Sequence, residues 1–319
     1  MKKLWHAREL STLAILALEV LFFTWYLWPA DGGVHHFLNV DNFLIIFKYS
    51  SIYGIAAIGA SIVIISGGID LAPGAVIGLT TVITGYLFVE AGWPLSASIA
   101  AGLGVGVVAG LVSSWLIVRI RLPPFIATLG VMGMWRGIGL IITQARFYDL
   151  SRLLPPGWRV LGLSIDWIAP AVMITLAIIF QVLMTRFQWG RSIFAVGGNE
   201  TAALFSGIPV GRVKTSAYVI AGFLASVSGV VLAVVQGQGK SDLATGYELD
   251  IIASSVVGGA SLAGGRGSVV GAVLGALIFG VLRNGLLQIP NAAFYDRLIV
   301  GLAVIVIVVM DQVLVRRKQ

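Results

Sequence analysis

The sequence predicts an all-α integral membrane protein with about ten transmembrane helices. Of its 319 residues, 58% are hydrophobic and only 11% are charged, whereas a soluble globular domain carries roughly 25% charged residues. Apolar runs recur along the chain, and about 20 such residues suffice for a helix to cross a hydrocarbon core about 30 Å thick. We therefore expect a single transmembrane domain, residues 1–319, and no water-soluble fold.

Apolar windows of helical length define the predicted spans. In order, they are residues 12–29, 42–66, 72–89, 95–118, 125–143, 167–185, 214–236, 249–264, 267–288 and 294–311. The span at 249–264 is short, so the sequence leaves open whether it crosses the membrane or is re-entrant. We interpret the first span as an uncleaved membrane helix, because no small-x-small cleavage pattern ends its apolar run.

Lysine and arginine indicate the orientation of these spans. The net charge is +7, and most of it lies at the chain ends and in short loops on one side of the predicted topology. Cytoplasmic loops retain positive charge, so we expect the N- and C-termini in the cytoplasm of a bacterial cell, with the chain in its inner membrane. The positive charge then indicates orientation, and it does not require a nucleic-acid partner.

Glycine and proline predict that some of the helices are broken. The stretch SGGIDLAPGAVIG, residues 66–78, places four glycines, Asp70 and Pro73 between two apolar runs. Proline lacks an N–H and glycine permits unusual dihedral angles. An unwound backbone persists in a membrane only where it is buried in protein or lines a wet cavity. A related glycine-dense stretch occupies residues 258–275.

Close helix packing is the alternative explanation for most of the 40 glycines. Small residues at GxxxG spacing let two helix backbones approach each other. Three pairs have this spacing: Gly106/Gly110, Gly133/Gly137 and Gly271/Gly275. The stretch around Asp70 is the exception that we assign to function.

Ionisable residues within predicted spans are candidates for a functional site, because an unpaired charge in the membrane costs a few kcal/mol or more. Arg136, beside Trp135, lies deepest, while Glu248, Asp250 and Arg283 fall towards the outer ends of their spans. Those outer charges could frame a polar mouth or simply extend to the interface. The candidate pathway residues are Asp70, Pro73, Trp135, Arg136, Glu248 and Asp250.

A second candidate site is the predicted cytoplasmic segment from Arg186 to Lys214. It is long enough for a short helix along the membrane face. Asn199 can cap such a helix and Glu200 suits its first turn, whereas Gly207 and the following proline should end it. A plain spacer is the alternative, although loops of this length are more often functional or disordered.

The chain offers no pattern typical of an enzyme. It has no cysteine, which excludes disulfides and thiol catalysis, and its three histidines are not spaced for a metal site. The GKS at residues 239–241 resembles the end of a phosphate-binding P-loop, but Val234 stands where that motif requires glycine. We therefore expect no catalytic residues, no metal and no cofactor in this chain.

Four motifs carry a resemblance that runs through nearly the whole chain. They are SGGIDLAPGAVIG, LPPFIATLG at 122–130, GRSIFAVGGNETAALFSGIPV at 190–210 and GYELDIIASSVVGGASLAGGRGSVVGAVLGA at 246–276. The chain resembles permease subunits of carbohydrate ABC importers of the ribose, xylose and autoinducer-2 type. It departs from them at Ala72 and Pro73, where relatives commonly have serine and valine.

The resemblance implies that the chain forms the translocation pathway for a monosaccharide or a related polyol or autoinducer. It implies two permeases as a homo- or heterodimer, a separate ATPase that binds ATP and Mg²⁺, and a periplasmic sugar-binding protein. Within the segment 186–214, it assigns ATPase coupling to Gly190, Gly197, Gly198, Asn199, Ala202, Ala203 and Gly207.

Two alternatives stay open at the level of sequence. A branched-chain amino-acid ABC permease is a more distant relative, and it should show a charged recognition pair for a zwitterion. An ion-coupled secondary transporter should show paired intramembrane carboxylates, for which the chain offers only Glu19 and Asp70 on separate helices.

Overall fold

The computed structural model describes residues 2–29, 37–151, 159–160, 163–295, 298–299, 301–302, 305–306 and 309. The regular structure in these residues is mostly helical. The helices are α1 (Lys2–Tyr26), α2 (Val40–Ile65), α3 (Pro73–Gly85), α4 (Leu95–Ser114), α5 (Pro124–Thr143), α6 (Ile165–Arg186), α7 (Gln188–Gly198), α8 (Glu200–Phe205), α9 (Val210–Gln236), α10 (Tyr247–Val257) and α11 (Val269–Leu287). Single π-helical turns, Tyr86–Glu90 and Trp115–Arg119, extend α3 and α4, and a 3-10 turn spans Ala292–Tyr295.

Two small antiparallel ladders lie in the loops between the helices. Strand β1 (Tyr148–Asp149) pairs with β4 (Gln238–Gly239), and Tyr148 lies opposite Gly239. Strand β2 (Arg159–Val160) pairs with β3 (Leu163–Ser164). The first ladder joins the loop that follows α5 to the loop that follows α9.

Within the described residues, eight helices are long and apolar enough to cross a membrane. They correspond to eight of the predicted spans, namely all except 249–264 and 294–311. Much of the span predicted at 294–311 lies outside the described residues. The prediction of an all-α membrane protein is confirmed.

The span predicted at 249–264 differs from the structure. Helix α10 begins at Tyr247 and ends at Val257, so its 11 residues rise only about 16 Å. The chain then turns through Gly259 and Gly264, whose φ angles are +95° and +81°. Such left-handed conformations end a helix and are readily adopted only by glycine. Helix α10 is therefore too short to cross the membrane, and the residues up to 264 are not helical.

The predicted helix break around Asp70 is present. Helix α2 ends at Ile65, residues 66–72 are not helical, and Pro73 occupies the first turn of α3. Proline suits that position, because the first-turn N–H that it lacks has no partner within the helix. Gly67 has a φ of +85°, which reverses the backbone after α2 and directs the chain back into the protein.

The core forms around α2, in which every residue from Ser50 to Ile65 is buried. Helices α6, α9, α10 and α11 pack around it. Two of the predicted GxxxG pairs are used inside the chain. A Cβ at Gly106 would overlap the carbonyl oxygen of Gly222, and a Cβ at Gly275 would overlap that of Ser254 on α10. Helices α4 and α9, and likewise α10 and α11, therefore pack with their backbones in contact.

Candidate functional site

The candidate site contains an ion pair between Arg136 and Glu248. Arg136 is the thirteenth residue of α5, about 18 Å along the helix from Pro124. Its Nη2 donates to both carboxylate oxygens of Glu248, at 3.0 and 3.1 Å, and its Nη1 donates to Thr245 Oγ1 at 2.7 Å. One guanidinium nitrogen thus makes a charge-assisted contact with each carboxylate oxygen. The pair joins the middle of α5 to the first turn of α10.

Glu248 also lies against the start of α3. A Cβ at Gly74 would overlap Glu248 Oε2 and would lie 2.8 Å from the carbonyl oxygen of Ala244. Only glycine at position 74 therefore lets the carboxylate approach so closely. The first turn of a helix carries a partial positive charge, so the N-terminus of α3 also favours the negative charge on Glu248. The carboxylate is held between an arginine and a helix end.

A second ion pair lies two residues along α10. Arg283 on α11 donates from Nη2 to both oxygens of Asp250 at 3.0 Å, and from Nη1 to the hydroxyl oxygen of Tyr53 at 2.6 Å. The rings of Tyr53 and Tyr247 are 4.6 Å apart between centroids. The first turn of α10 is thus tied to α5 by one ion pair and to α11 by the other.

Of the six predicted pathway residues, the structure pairs Arg136 with Glu248, while Pro73 is the chain neighbour of Gly74, which lies against Glu248. Asp250 lies on the same short helix but pairs with Arg283. Trp135 packs in the core, and its Nε1 has no partner among the described residues, nor has Nε of Arg136.

Asp70 stands apart from both ion pairs. Its carboxylate is buried and accepts a hydrogen bond from the backbone N–H of Ala72 at 2.9 Å. The side chain therefore stabilises the turn that leads into α3. The role of Asp70 in the structure is local, and it shares no hydrogen bond with Arg136 or Glu248 in the described part of the chain.

Sequence reasoning missed Gly74, Thr245 and Tyr53 as members of this site. Gly74 lies in the glycine-rich stretch 66–78, which was recognised, but its contact with Glu248 was not, and nothing local distinguishes Thr245 or Tyr53, because each gains its place from a partner on a different helix. Arg283 was included only as part of a possible polar mouth. The structure pairs Arg283 with Asp250, whose side chain is only 5% exposed.

The segment Arg186–Lys214 folds into two short helices, α7 and α8. As the sequence predicts, Asn199 caps α8, and its side-chain oxygen accepts from the N–H of Ala202 at 2.9 Å. Lys214 forms an ion pair with Glu200, which holds the start of α8 against α9. The helix α7 was not predicted.

Helix α8 presents apolar side chains to the outside of the chain. Leu204 is 60% exposed and Phe205 is 86% exposed, whereas Ala203 is buried. Gly207, with a φ of +80°, lies in the turn that follows α8. An exposed aromatic residue beside an exposed leucine is compatible with a protein contact surface, because aromatic residues are enriched at interfaces.

The glycines assigned to coupling occupy different surroundings. A Cβ at Gly190 would overlap the backbone of Met184, and a Cβ at Gly197 would overlap the carbonyl oxygen of Ile65. A Cβ at Gly198 would meet nothing within 4 Å. Gly190 and Gly197 are therefore packing positions inside the chain, and Gly198 is open on its Cβ side.

No group of three or more possible metal ligands occurs within the residues that the structure describes. The charged groups at the candidate site are instead paired as two arginine–carboxylate units. Such units present hydrogen-bond donors and acceptors side by side, which suits a polyhydroxylated or zwitterionic solute.

Comparison with known proteins gives a family match over residues 42–309, to the model described as "Branched-chain amino acid transport system / permease component". The chain is 36% identical over 282 residues to the ribose import permease protein RbsC of Bacillus subtilis (strain 168), with 86% of each chain covered. It is 32% identical to RbsC of Escherichia coli (strain K12), covering 97% of this chain and 95% of the relative.

A third relative, the xylose transport system permease protein XylH of Escherichia coli (strain K12), is 32% identical, covering 96% of this chain and 91% of the relative. No solved structure matches the chain significantly.

Proposed function

The chain belongs to the family of the branched-chain amino acid transport system permease component, and from that premise we propose that it is the transmembrane permease subunit of an ATP-driven sugar importer. The observation that carries the proposal is its similarity to ribose and xylose permeases over almost its whole length. The proposed substrate is a monosaccharide or a related polyol, delivered by a periplasmic binding protein.

Broken helices support a translocation pathway beside the Arg136–Glu248 pair. Pro73 at the start of α3 and Asp250 in the first turn of α10 are buried, and irregular backbone at membrane depth is tolerated only where it is buried in protein or lines a water-filled cavity. The side chains of Arg136 and Glu248 retain 26% and 15% exposure. We infer that this partly exposed pair lines the pathway.

The sugar would exchange hydrogen bonds with these groups as it passes. Arginine and glutamate offer several donors and acceptors to the hydroxyls of a sugar, and Thr245 adds one more hydroxyl. Charged groups that are already paired with each other bind a neutral solute weakly. Weak binding suits a pathway, because a solute that bound tightly would leave slowly.

The exposed face of α8 supports the proposal of a separate ATPase partner. Leu204 and Phe205 would dock on that subunit, while Asn199 keeps the helix formed. Closure of the ATPase around ATP and Mg²⁺ would then move α8 and switch the permease between two access states by rigid-body motion. In this proposal the chain itself performs no covalent chemistry and needs no nucleotide site.

A second permease, either a copy of this chain or a paralogue, is the proposed partner for α5. Gly130, Gly133 and Gly137 lie on one face of that helix, and a Cβ at any of them would meet nothing within 4 Å. The other two GxxxG pairs are occupied by contacts inside the chain. Arg136 lies at the edge of this open face, where lipid would solvate its charge poorly. A second permease would cover the open face and keep lipid away from Arg136, which stays at its edge beside the proposed pathway.

A branched-chain amino-acid permease is the second candidate, because the family description names that substrate and the structure contains two paired arginine–carboxylate units. A zwitterion could interact with both members of such a unit. Ligand binding to the cognate external protein separates the two candidates: binding of a pentose or hexose supports the sugar proposal, and binding of leucine or isoleucine supports the other.

The test is ATP hydrolysis by the assembled complex in lipid nanodiscs. We expect sugar-loaded binding protein to stimulate hydrolysis only when this permease is present. The variant Phe205→Ala should reduce the affinity of the permease for the ATPase, whereas Phe147→Ala, an exposed phenylalanine in a different loop, should leave it unchanged. Stimulation that does not depend on the permease would contradict the proposal.

A further inference from the structure

Three backbone segments meet around Gly197, close to the end of α7. A Cβ at Gly197 would overlap the carbonyl oxygen of Ile65 and would lie 2.7 Å from the backbone nitrogen of Gly265. A Cβ at Gly264 would lie 3.1 Å from Cα of Gly67 and 2.5 Å from the carbonyl oxygen of Gly197. We call Gly67, Gly197, Gly264 and Gly265 the glycine junction.

The glycine junction has no side chain that could absorb movement. The N–H of Gly265 donates to the carbonyl oxygen of Ile65 at 2.8 Å, so α2 and the turn after α10 are hydrogen-bonded to each other at the point where Gly197 touches both. Gly67, Gly264 and Gly265 have φ angles of +85°, +81° and +69°, which other residues adopt only with strain. Displacement of Gly197 must therefore displace the segments beside it.

Those two segments lead to the candidate pathway. From Gly67, the chain passes through residues 68–72 to Pro73 and α3, whose second residue, Gly74, touches Glu248. The turn that contains Gly264 follows α10, and α10 carries Glu248 in its first turn. The starts of α3 and α10 thus meet at Glu248. The backbone before α3 and the backbone after α10 meet at Gly197.

Gly197 is also tied to the predicted docking helix. It is three residues from Glu200, where α8 begins, and Asn199 between them makes the cap of α8. Movement of α8 on the ATPase would reach Gly197 through two residues of backbone. The segment Arg186–Lys214 contains other glycines, but an added Cβ at none of them would overlap both Ile65 and the turn after α10.

We propose that Gly197 is a positioning residue through which the coupling segment moves the two broken helices, and that its task is transmission within the chain and not contact with the ATPase. The inference rests on the proposed function. It separates two roles that the family resemblance assigns together: Leu204 and Phe205 bind the ATPase, and the glycine junction conveys the resulting movement to the Arg136–Glu248 pair.

A purely structural role is the alternative, because close packing alone also requires glycine at position 197. The two readings differ in one respect. Loss of packing lowers the amount and stability of folded permease, but folded molecules still respond to nucleotide. Loss of transmission leaves folded, ATPase-bound molecules in which α10 no longer responds.

The absence of cysteine permits a direct readout of α10. Leu249 lies on the exposed side of α10, so Leu249→Cys supplies the only thiol of the permease. Its labelling rate with a membrane-impermeant maleimide is measured in the complete importer, with cysteine-free partners, in nanodiscs, without nucleotide and with nucleotide trapped by vanadate. The affinity of the permease for the ATPase is measured on the same samples.

In the otherwise unchanged chain, we expect trapped nucleotide to alter the labelling rate about fivefold or more, the lower range of typical allosteric coupling. With Gly197→Ala added, that change should disappear while the affinity for the ATPase stays within about twofold. The matched control is Gly104→Ala on α4, where a Cβ meets nothing within 4 Å, and it should keep the full response.

Two results would overturn the inference. One is a normal nucleotide response of Leu249→Cys in the Gly197→Ala background, and the other is a large loss of ATPase affinity, which would make Gly197 a docking residue. If Gly197→Ala does not fold, Gly67→Ala tests the same junction more mildly: its Cβ would lie 3.6 Å from Cα of Gly197 without overlap, while the φ of +85° strains the backbone there, and the nucleotide response should again fall. Failure of the unmodified complex to hydrolyse ATP in response to sugar would instead contradict the proposed function.

Discussion

Arg136 on α5 and Glu248 at the start of α10 form an ion pair across 112 residues of sequence, with Nη2 lying 3.0 and 3.1 Å from the two carboxylate oxygens. The pair holds a helix that is too short to span the membrane against one that is long enough. Because Gly74 brings the N-terminus of α3 to the same carboxylate, three helices meet at a single charged group.

Breaking this pair should destabilise the permease. Glu248→Gln leaves the arginine charge without its partner, and we expect a loss of about 2 kcal/mol, below the value for a fully buried pair because both side chains keep some exposure. Glu90→Gln, at an exposed position, should have no effect. The measurement is thermal unfolding of the purified permease in detergent.

The double variant Arg136→Gln/Glu248→Gln should lose less stability than the two single variants added together, because it leaves no unpaired charge. Strict additivity within experimental error would show that the two side chains do not interact, which would contradict the ion pair.

The Asn199→Ala variant should weaken coupling by loosening α8. The side-chain oxygen of Asn199 caps the N–H of Ala202, and loss of such a cap costs about 1 kcal/mol of helix stability. Asn199→Asp keeps an acceptor at the same place and should preserve coupling. The measurement is sugar-stimulated ATP hydrolysis. Full stimulation in Asn199→Ala would show that coupling does not depend on the Asn199 cap.

Gly106→Ala should destabilise the contact between α4 and α9. A Cβ at Gly106 would overlap the carbonyl oxygen of Gly222, so the two backbones would have to separate. We expect a loss of about 1–3 kcal/mol, as for other overpacked interiors. The control is Gly104→Ala on the same helix, with open space at its Cβ. Equal melting temperatures for the two variants would contradict the close contact.

Bulky residues on the open face of α5 should prevent association of two permeases. Gly137→Leu fills the groove that we assign to the second permease, whereas Gly104→Leu fills open space on α4. The measurement is the mass of the detergent-solubilised permease by light scattering. A dimer that persists in Gly137→Leu would place the interface on another face of the protein.

Local signals predicted the parts of the molecule that depend on a few adjacent residues. Pro73 with the glycines before it predicted the break between α2 and α3, and Asn199 with Glu200 predicted the start of α8. In both places the backbone conformation is decided within one turn of the chain, by a missing N–H in the first case and a side-chain cap in the second.

The parts that could not be predicted depend on contacts between distant segments. The sequence identified Arg136, Glu248, Asp250 and Arg283 as ionisable groups in or near the membrane, but not which carboxylate pairs with which arginine, since that depends on how α5, α10 and α11 pack. Gly197 was assigned to coupling through its motif. Its contact is with the backbone carbonyl oxygen of Ile65. Every residue has such an oxygen, so the identity of residue 65 does not reveal the contact.

The end of α10 was predicted seven residues too late because the apolar run continues to residue 264 while the helix stops at Val257. Hydropathy averages over a window and therefore does not register the glycines after residue 257 that turn the chain. The same glycines were recognised as a dense stretch, but only the structure shows that Gly264 and Gly265 adopt left-handed conformations and contact the coupling segment.

Uptake of radiolabelled pentoses and hexoses into proteoliposomes tests the central claim most directly. The vesicles contain this permease with or without its ATPase, external binding protein and internal ATP. We predict uptake of one sugar only when all three are supplied. Uptake by the permease alone, driven by an ion gradient, would contradict the account and would identify the chain as a secondary transporter.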